Sequence, residues 1–132
     1  MVYDNILEAI GHTPLIRLNH LTGPEDAQIL VKYEAVNIGG SIKTPTAFNM
    51  VSEAEKKGLI GPDTLIVEPT SGNQGIGIAL VGAVRGYRVC IIMPDSVSEE
   101  RRKLVTQYGA EVVLIHDDGD IGACIEECMN TA

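Results

Sequence analysis

The chain has 132 residues, 45% of them hydrophobic, and a formal net charge of -8. That is enough chain for one domain burying roughly two thirds of its unfolded surface, and the composition is globular rather than disordered. An acidic balance argues against nucleic acid or an anionic membrane as the main partner, because phosphate backbones need a basic footprint.

No apolar run approaches the roughly 20 residues of a membrane-crossing helix, and Met1-Val2-Tyr3-Asp4-Asn5 lacks a basic leader. The three cysteines have no framework spacing, so a reducing, cytoplasmic setting is expected.

Along the chain, strand-like and helix-like segments alternate. The opening stretch through Leu15-Ile16-Arg17-Leu18 does not join that alternation and reads as a separate unit, 1–26. From residue 27 to 132 the pattern is that of an α/β domain. Ile29 to Tyr33 is a short apolar strand. Pro45 to Lys57 has helical periodicity, with Ala47, Met50, Val51 and Ala54 on one face. Gly58 stops it and Gly61-Pro62-Asp63 is a turn. Thr64 to Val67 is a strand, Asn73 to Arg85 a helix rich in small residues, and Arg88 to Met93 a strand. Ser98 starts a charged helix that runs to about Tyr108, where Gly109 ends it. Glu111 to Ile115 is a strand, and a last helix begins near Asp120. Strands joined through helices of this length imply βαβ units: a three-layer parallel sheet with helices on both faces. The strands are continuously apolar, as burial on both faces requires.

Two segments carry chemistry. Asn37-Ile38-Gly39-Gly40-Ser41-Ile42-Lys43 presents a lysine at a helix start after a glycine-rich turn. At a strand edge facing the ligand crevice, partial burial would favour a neutral, nucleophilic amine. Thr70-Ser71-Gly72-Asn73-Gln74-Gly75 feeds a helix N-terminus. Unpaired N–H groups and the helix dipole suit such a loop to an anion, most simply a carboxylate. It also reads as an ordinary capped turn, and a lone helix-start lysine is usually just solvated; the pair together, on successive strand ends, points to amine chemistry on an amino acid.

Other features carry less. Gly72 to Gly77 has G-x-x-G-x-G spacing, reversed from the dinucleotide fingerprint. Cys124 and Cys128 with His116 are three candidate metal ligands without a C-x-x-C, and read as ordinary cysteines. His12 and His20 have no evident partner. Glu99 to Lys103 reads as a solvated helix face.

The order of motifs resembles the cysteine synthase (O-acetylserine sulfhydrylase) family. The resemblance rests on Ile10 to Asn19, Gly39-Gly40-Ser41-Ile42-Lys43, Glu68-Pro69-Thr70-Ser71-Gly72-Asn73 and Gly75-Ile76-Gly77. Met93-Pro94, Glu100 to Leu104 and Tyr108-Gly109-Ala110-Glu111 continue it. It implies a tryptophan-synthase-β-like fold, of which this would be the small N-terminal domain, and pyridoxal 5'-phosphate as cofactor. Lys43 would be the Schiff-base lysine and Asn73 would bond the cofactor's ring hydroxyl. Thr70, Ser71, Gly72 and Gln74 would grip the substrate's α-carboxylate.

The implied reaction is β-replacement on O-acetylserine by sulfide or another thiol. A relative that releases sulfide from cysteine, and a non-catalytic binding module that kept the fold, are the alternatives. Three segments depart from the family pattern. Asn37-Ile38 stands for Asn-Pro, Lys43-Thr44-Pro45 for Lys-Asp-Arg, and Asn73-Gln74-Gly75 for Asn-Thr-Gly. Family members are about twice this length or more. Their phosphate-binding loop lies further along, so this chain alone is expected to be inactive. The opening segment is expected to pack on a large domain or a companion C-terminal fragment, and the complete enzyme is expected to be a homodimer.

Overall fold

The computed structural model describes residues 2–116 and 121–131. Its main body is a parallel sheet of three strands, β3 (Leu65–Pro69), β4 (Arg88–Pro94) and β5 (Glu111–Ile115), in the order β3-β4-β5. Leu65 pairs with Arg88 and Pro69 with Ile92; Cys90 pairs with Glu111 and Pro94 with Ile115. Helices α1 (Lys43–Lys56), α2 (Asn73–Arg85) and α3 (Glu99–Gln107) join one core, and α4 (Gly122–Thr131) packs on β3 and β4.

Strand alternation separates the two cores. From β4, Val89, Ile91 and Met93 enter the larger one with Ala47, Val51, Ile76 and Val105. Cys90 and Ile92 turn the other way, onto Cys124 of α4. Ile91, Ile92 and Met93 are wholly buried, each contributing about 1.5–3 kcal/mol by leaving water. The three-layer α/β architecture expected from the alternation is therefore present.

One strand falls elsewhere. The apolar run at residues 29–33 forms β2 (Leu30–Lys32), but it is not the first strand of the parallel sheet. It pairs antiparallel with β1 (Leu15–Arg17), Leu15 opposite Lys32, in a separate two-stranded ribbon. Both strands of that ribbon are exposed along their length. An apolar run announces a strand, but it does not name the partner.

The other boundaries lie close to the sequence reading. Helix α2 and strand β5 begin and end where expected. Helix α1 starts at Lys43, two residues before Pro45. Proline is tolerated there because the first turn's N–H groups have no intrahelical acceptors. The expected start of α4 near Asp120 lies outside the described residues; the described helix begins at Gly122.

The ribbon is tied to the segment before α1 by polar contacts. Thr13 Oγ1 donates to Glu34 Oε1 at 2.7 Å, and Gly11 N donates to the buried Asn37 Oδ1 at 3.0 Å. The Thr13 hydroxyl, opposed in part by desolvation and aided by Lys32, holds the Glu34 carboxyl below its ordinary range.

Candidate active site at the sheet's carboxyl edge

Parallel strands deliver the loops that follow them, and the helix N-termini, to one edge of the sheet. Here that edge holds the loop after Pro69 and the start of α3 after Pro94. Thr70 extends the β3 ladder, its N–H donating to Ile92 O at 2.9 Å. The chain then leaves the sheet. Thr70 is buried, and its Oγ1 accepts from Gly72 N at 3.1 Å. Gly72 is the N-cap of α2 and has no side chain to cap it. Gly75 N turns back to Gly72 O at 3.2 Å. The N–H groups of Asn73 and Gln74 are thus left for an acceptor from outside the helix.

Glycine makes this turn tight. A Cβ on Gly75 would stand 2.7 Å from Thr70 Cγ2 and 3.1 Å from Ile91 Cγ2. Only a residue without one lets α2 start against the strand that precedes it.

Lys43 opens α1, the helix that packs on α2. Ser41 Oγ accepts its N–H at 3.1 Å and starts the helix. The turn before it is set by Gly40, at φ 74°, whose N–H donates to Asn37 O at 2.7 Å. A Cβ on Gly39 would overlap the Thr44 hydroxyl, so the glycine pair is what lets the loop fold down on the first turn. Helix α1 then lies directly on α2. A Cβ on Gly77 would meet Ala47 Cβ at 2.9 Å and the Lys43 carbonyl oxygen at 3.0 Å. Gly77 is four residues after Asn73, one turn along the same face. The Lys43 backbone therefore lies against α2 one turn after Asn73. Gln74 Nε2 lies 3.4 Å from Met50 Sδ, and Gln74 Oε1 is buried without a partner among the described residues.

The sheet edge carries Thr70, Ser71, Gly72, Asn73 and Gln74 of the sequence reading, and the sixth residue, Lys43, meets α2 through its backbone at Gly77. One expectation is corrected. Lys43, at the first position of α1, is exposed, not part-buried. Met50, on the same helical face as Ala47 and Val51, is 49% exposed, and its sulfur lies against the Gln74 amide.

The sequence reading missed one residue. Arg101, taken as part of a solvated face, donates from Nη1 to Ser71 O at 3.1 Å. The available signal was its place in the first turn of a helix rising from the same sheet edge. The histidines differ as well: His12 stacks on Tyr3 with ring centroids 6.0 Å apart, and His116 Nδ1 lies 2.9 Å from Asp95 Oδ2.

This donor set fits pyridoxal phosphate at its aldehyde and ring ends: an exposed primary amine, a neighbouring side-chain amide, and uncapped N–H groups for a substrate carboxylate. The buried, unpartnered Gln74 carbonyl beside them is a further polar group at the same contact.

Comparison with known proteins agrees. Residues 6–132 match the family model described as pyridoxal-phosphate dependent enzyme. The chain is 47% identical over 132 residues to a cysteine synthase of a Flavobacterium species, covering 100% of this chain and 43% of that protein. Among solved structures it resembles a hydrogen sulfide-producing enzyme from Fusobacterium nucleatum, with TM-score 0.90 and 42% identity, over 99% of this chain and 42% of the other. It also resembles a cysteine synthase from Entamoeba histolytica, with TM-score 0.92 and 41% identity, over 99% and 40% respectively. The chain spans about two fifths of the length of these relatives.

Proposed function

The chain belongs to the family of pyridoxal-phosphate dependent enzymes, and on that premise we propose that it is the N-terminal part of a β-replacement enzyme. It would exchange the leaving group of O-acetylserine for sulfide and so form cysteine. The observation that carries this reading is that α1 meets α2 at Gly77 through the Lys43 carbonyl and Ala47, on the helix that the Thr70–Gly75 loop feeds.

Bound there, the cofactor supplies an electron sink for charge developing at the substrate's α-carbon. The roles of the chain's own residues are those the family resemblance implies. Lys43 Nζ would hold the cofactor and would serve as the base that takes the α-proton. Asn73 orients the ring through its side-chain amide. The N–H groups at the start of α2, with Thr70, Ser71, Gly72 and Gln74, bind the α-carboxylate and fix which bond faces the lysine.

The opening segment, residues 1–26, would pack on the remainder of an enzyme of the relatives' length, or on a companion fragment. The exposed Leu15, Ile16, Leu30 and Val31 of the ribbon support such a cover. A homodimer of the complete enzyme, in a cytoplasmic setting with sulfide or another thiol as second substrate, belongs to the same proposal. No helix among the described residues is long and apolar enough to cross a membrane.

A second reading, sulfide release from cysteine, is favoured by the likeness to the Fusobacterium enzyme. The chain joined to the C-terminal part of the Flavobacterium relative separates the two. Cysteine formed from O-acetylserine and sulfide, and abolished by Lys43→Ala, supports the first. Sulfide released from cysteine without that synthesis supports the second. Neither activity, with the cofactor held, would point to a binding module.

A further inference from the structure

We propose that Arg101 is a positioning residue for the substrate loop, holding the Ser71–Gly72 peptide so that the amides after it face the carboxylate; this rests on the reading of the loop as a carboxylate grip. The peptide between Ser71 and Gly72 is bonded on both of its polar sides. Its N–H donates back to Thr70 Oγ1 at 3.1 Å, and its C=O accepts from Arg101 Nη1 at 3.1 Å. The first bond anchors it to the end of β3. The second anchors it to α3, a different element, thirty residues further along the chain.

A peptide plane fixed at both ends cannot rotate, and the N–H groups of Asn73 and Gln74 follow directly from it. Gly72 is the position where such restraint matters most. It adopts φ -155° and ψ -139° and has no side chain of its own to hold it there. Without Arg101, the 71–72 peptide keeps only its inner bond, and nothing on the α3 side resists its rotation. The neighbouring arginine does a different job: Arg102 donates from Nη2 to Asp95 O, within the β4–α3 connection. Of the two, Arg101 is the one that crosses to the loop.

Arg101 also brings its charge. Its guanidinium has five N–H donors, and one is committed to Ser71 O. The remaining positive charge lies beside the loop that takes an anion, so it adds to the field of the α2 N-terminus. Lysine would keep the charge and one donor but lose the fixed fork.

The test uses the ¹⁵N-labelled chain with Arg101→Met and Arg101→Lys. Two quantities are read: amide hydrogen exchange of Gly72 without ligand, and amide shifts of Gly72, Asn73 and Gln74 on titration with O-acetyl-L-serine. R101M is expected to speed Gly72 exchange and to weaken the titration by roughly five- to tenfold, the worth of one charge-assisted bond near solvent. R101K should restore part of both, and the circular dichroism should be that of the parent chain. Unchanged Gly72 exchange in R101M, or an equal affinity in R101M and the parent, overturns the proposal. Faster exchange in R101M with no titration shift in any chain supports the restraint while refuting the carboxylate reading.

Discussion

Replacing Gly77 with alanine tests how closely α1 and α2 meet, and hence where Lys43 stands. Alanine is the better helix former by about 0.8–1 kcal/mol, so on an open face G77A would stabilise the chain by that amount. The structure puts the new methyl 2.9 Å from Ala47 Cβ and 3.0 Å from the Lys43 carbonyl oxygen. Neither neighbour can yield. Ala47 has no rotamer and is fully buried, and the carbonyl is backbone at the first helical position. The helices must separate, and overpacking of this kind costs about 1–3 kcal/mol. The sum runs from about zero to a loss of about 2 kcal/mol, or a melting temperature up to about 7 °C lower for a domain of this size. Urea unfolding followed by circular dichroism measures it. Adding Ala47→Gly removes one of the two clashing atoms and should return part of the loss beyond simple additivity, as a coupling energy of about 0.5–1 kcal/mol. The sign decides the matter. A G77A chain more stable than its parent by the full helix-propensity gain would mean that the two helices do not touch at Lys43.

Three further outcomes are expected. Thr70→Val keeps the shape of a buried side chain but removes the acceptor of Gly72 N–H, so it should cost about 1–2 kcal/mol; an unchanged urea midpoint would contradict the turn described above. Burial pushes the Glu68 carboxyl above its ordinary 4.5. The stability it contributes is therefore full below the unfolded-state value and lost as pH rises through the higher folded one; Glu68→Gln should raise the urea midpoint at pH 7, and the gap should close as the pH is lowered towards the ordinary carboxyl value of 4.5. Burial likewise raises the thiols of Cys90 and Cys128, and Cys124 is fully buried. Alkylation at about pH 8 should be slow for all three in the folded chain, slowest for Cys90 and Cys124, and fast in urea; rapid native labelling of Cys90 would place β4 wrongly.

Much of this was legible in the residues because the strongest signals are local. Gly86 ends α2 in a left-handed conformation at φ 82°, and Gly109 does the same after α3 at φ 86°. Small and apolar residues between Asn73 and Arg85 mark a helix buried on most sides. The loop at Thr70–Gly75 was legible for the same reason, since its glycines and hydroxyls act on their own neighbours. What was not legible depends on partners distant in sequence. Leu30 and Val31 pattern as a buried strand, yet they pair with Arg17 and Ile16 and stay exposed. Arg101 looks like any surface arginine until α3 is placed beside the loop. Pro45 drew the start of α1 two residues too late, because proline favours the first helical position and here takes the third. Lys43 was found from its context and misjudged in burial, since nothing local states what stands over a side chain at a sheet edge.

The central claim is that Lys43 is the amine this fold presents to a pyridoxal phosphate aldehyde. Borohydride reduction in the presence of the cofactor, followed by peptide mass mapping, tests it most directly. It should be run on the chain and on the chain supplied with the C-terminal part of its Flavobacterium relative. The expected result is a reduced cofactor adduct on Lys43 in clear excess over Lys32, Lys56, Lys57 and Lys103, sharpened by the added part and absent in Lys43→Ala. Adduct spread evenly over all the lysines in both samples would contradict it.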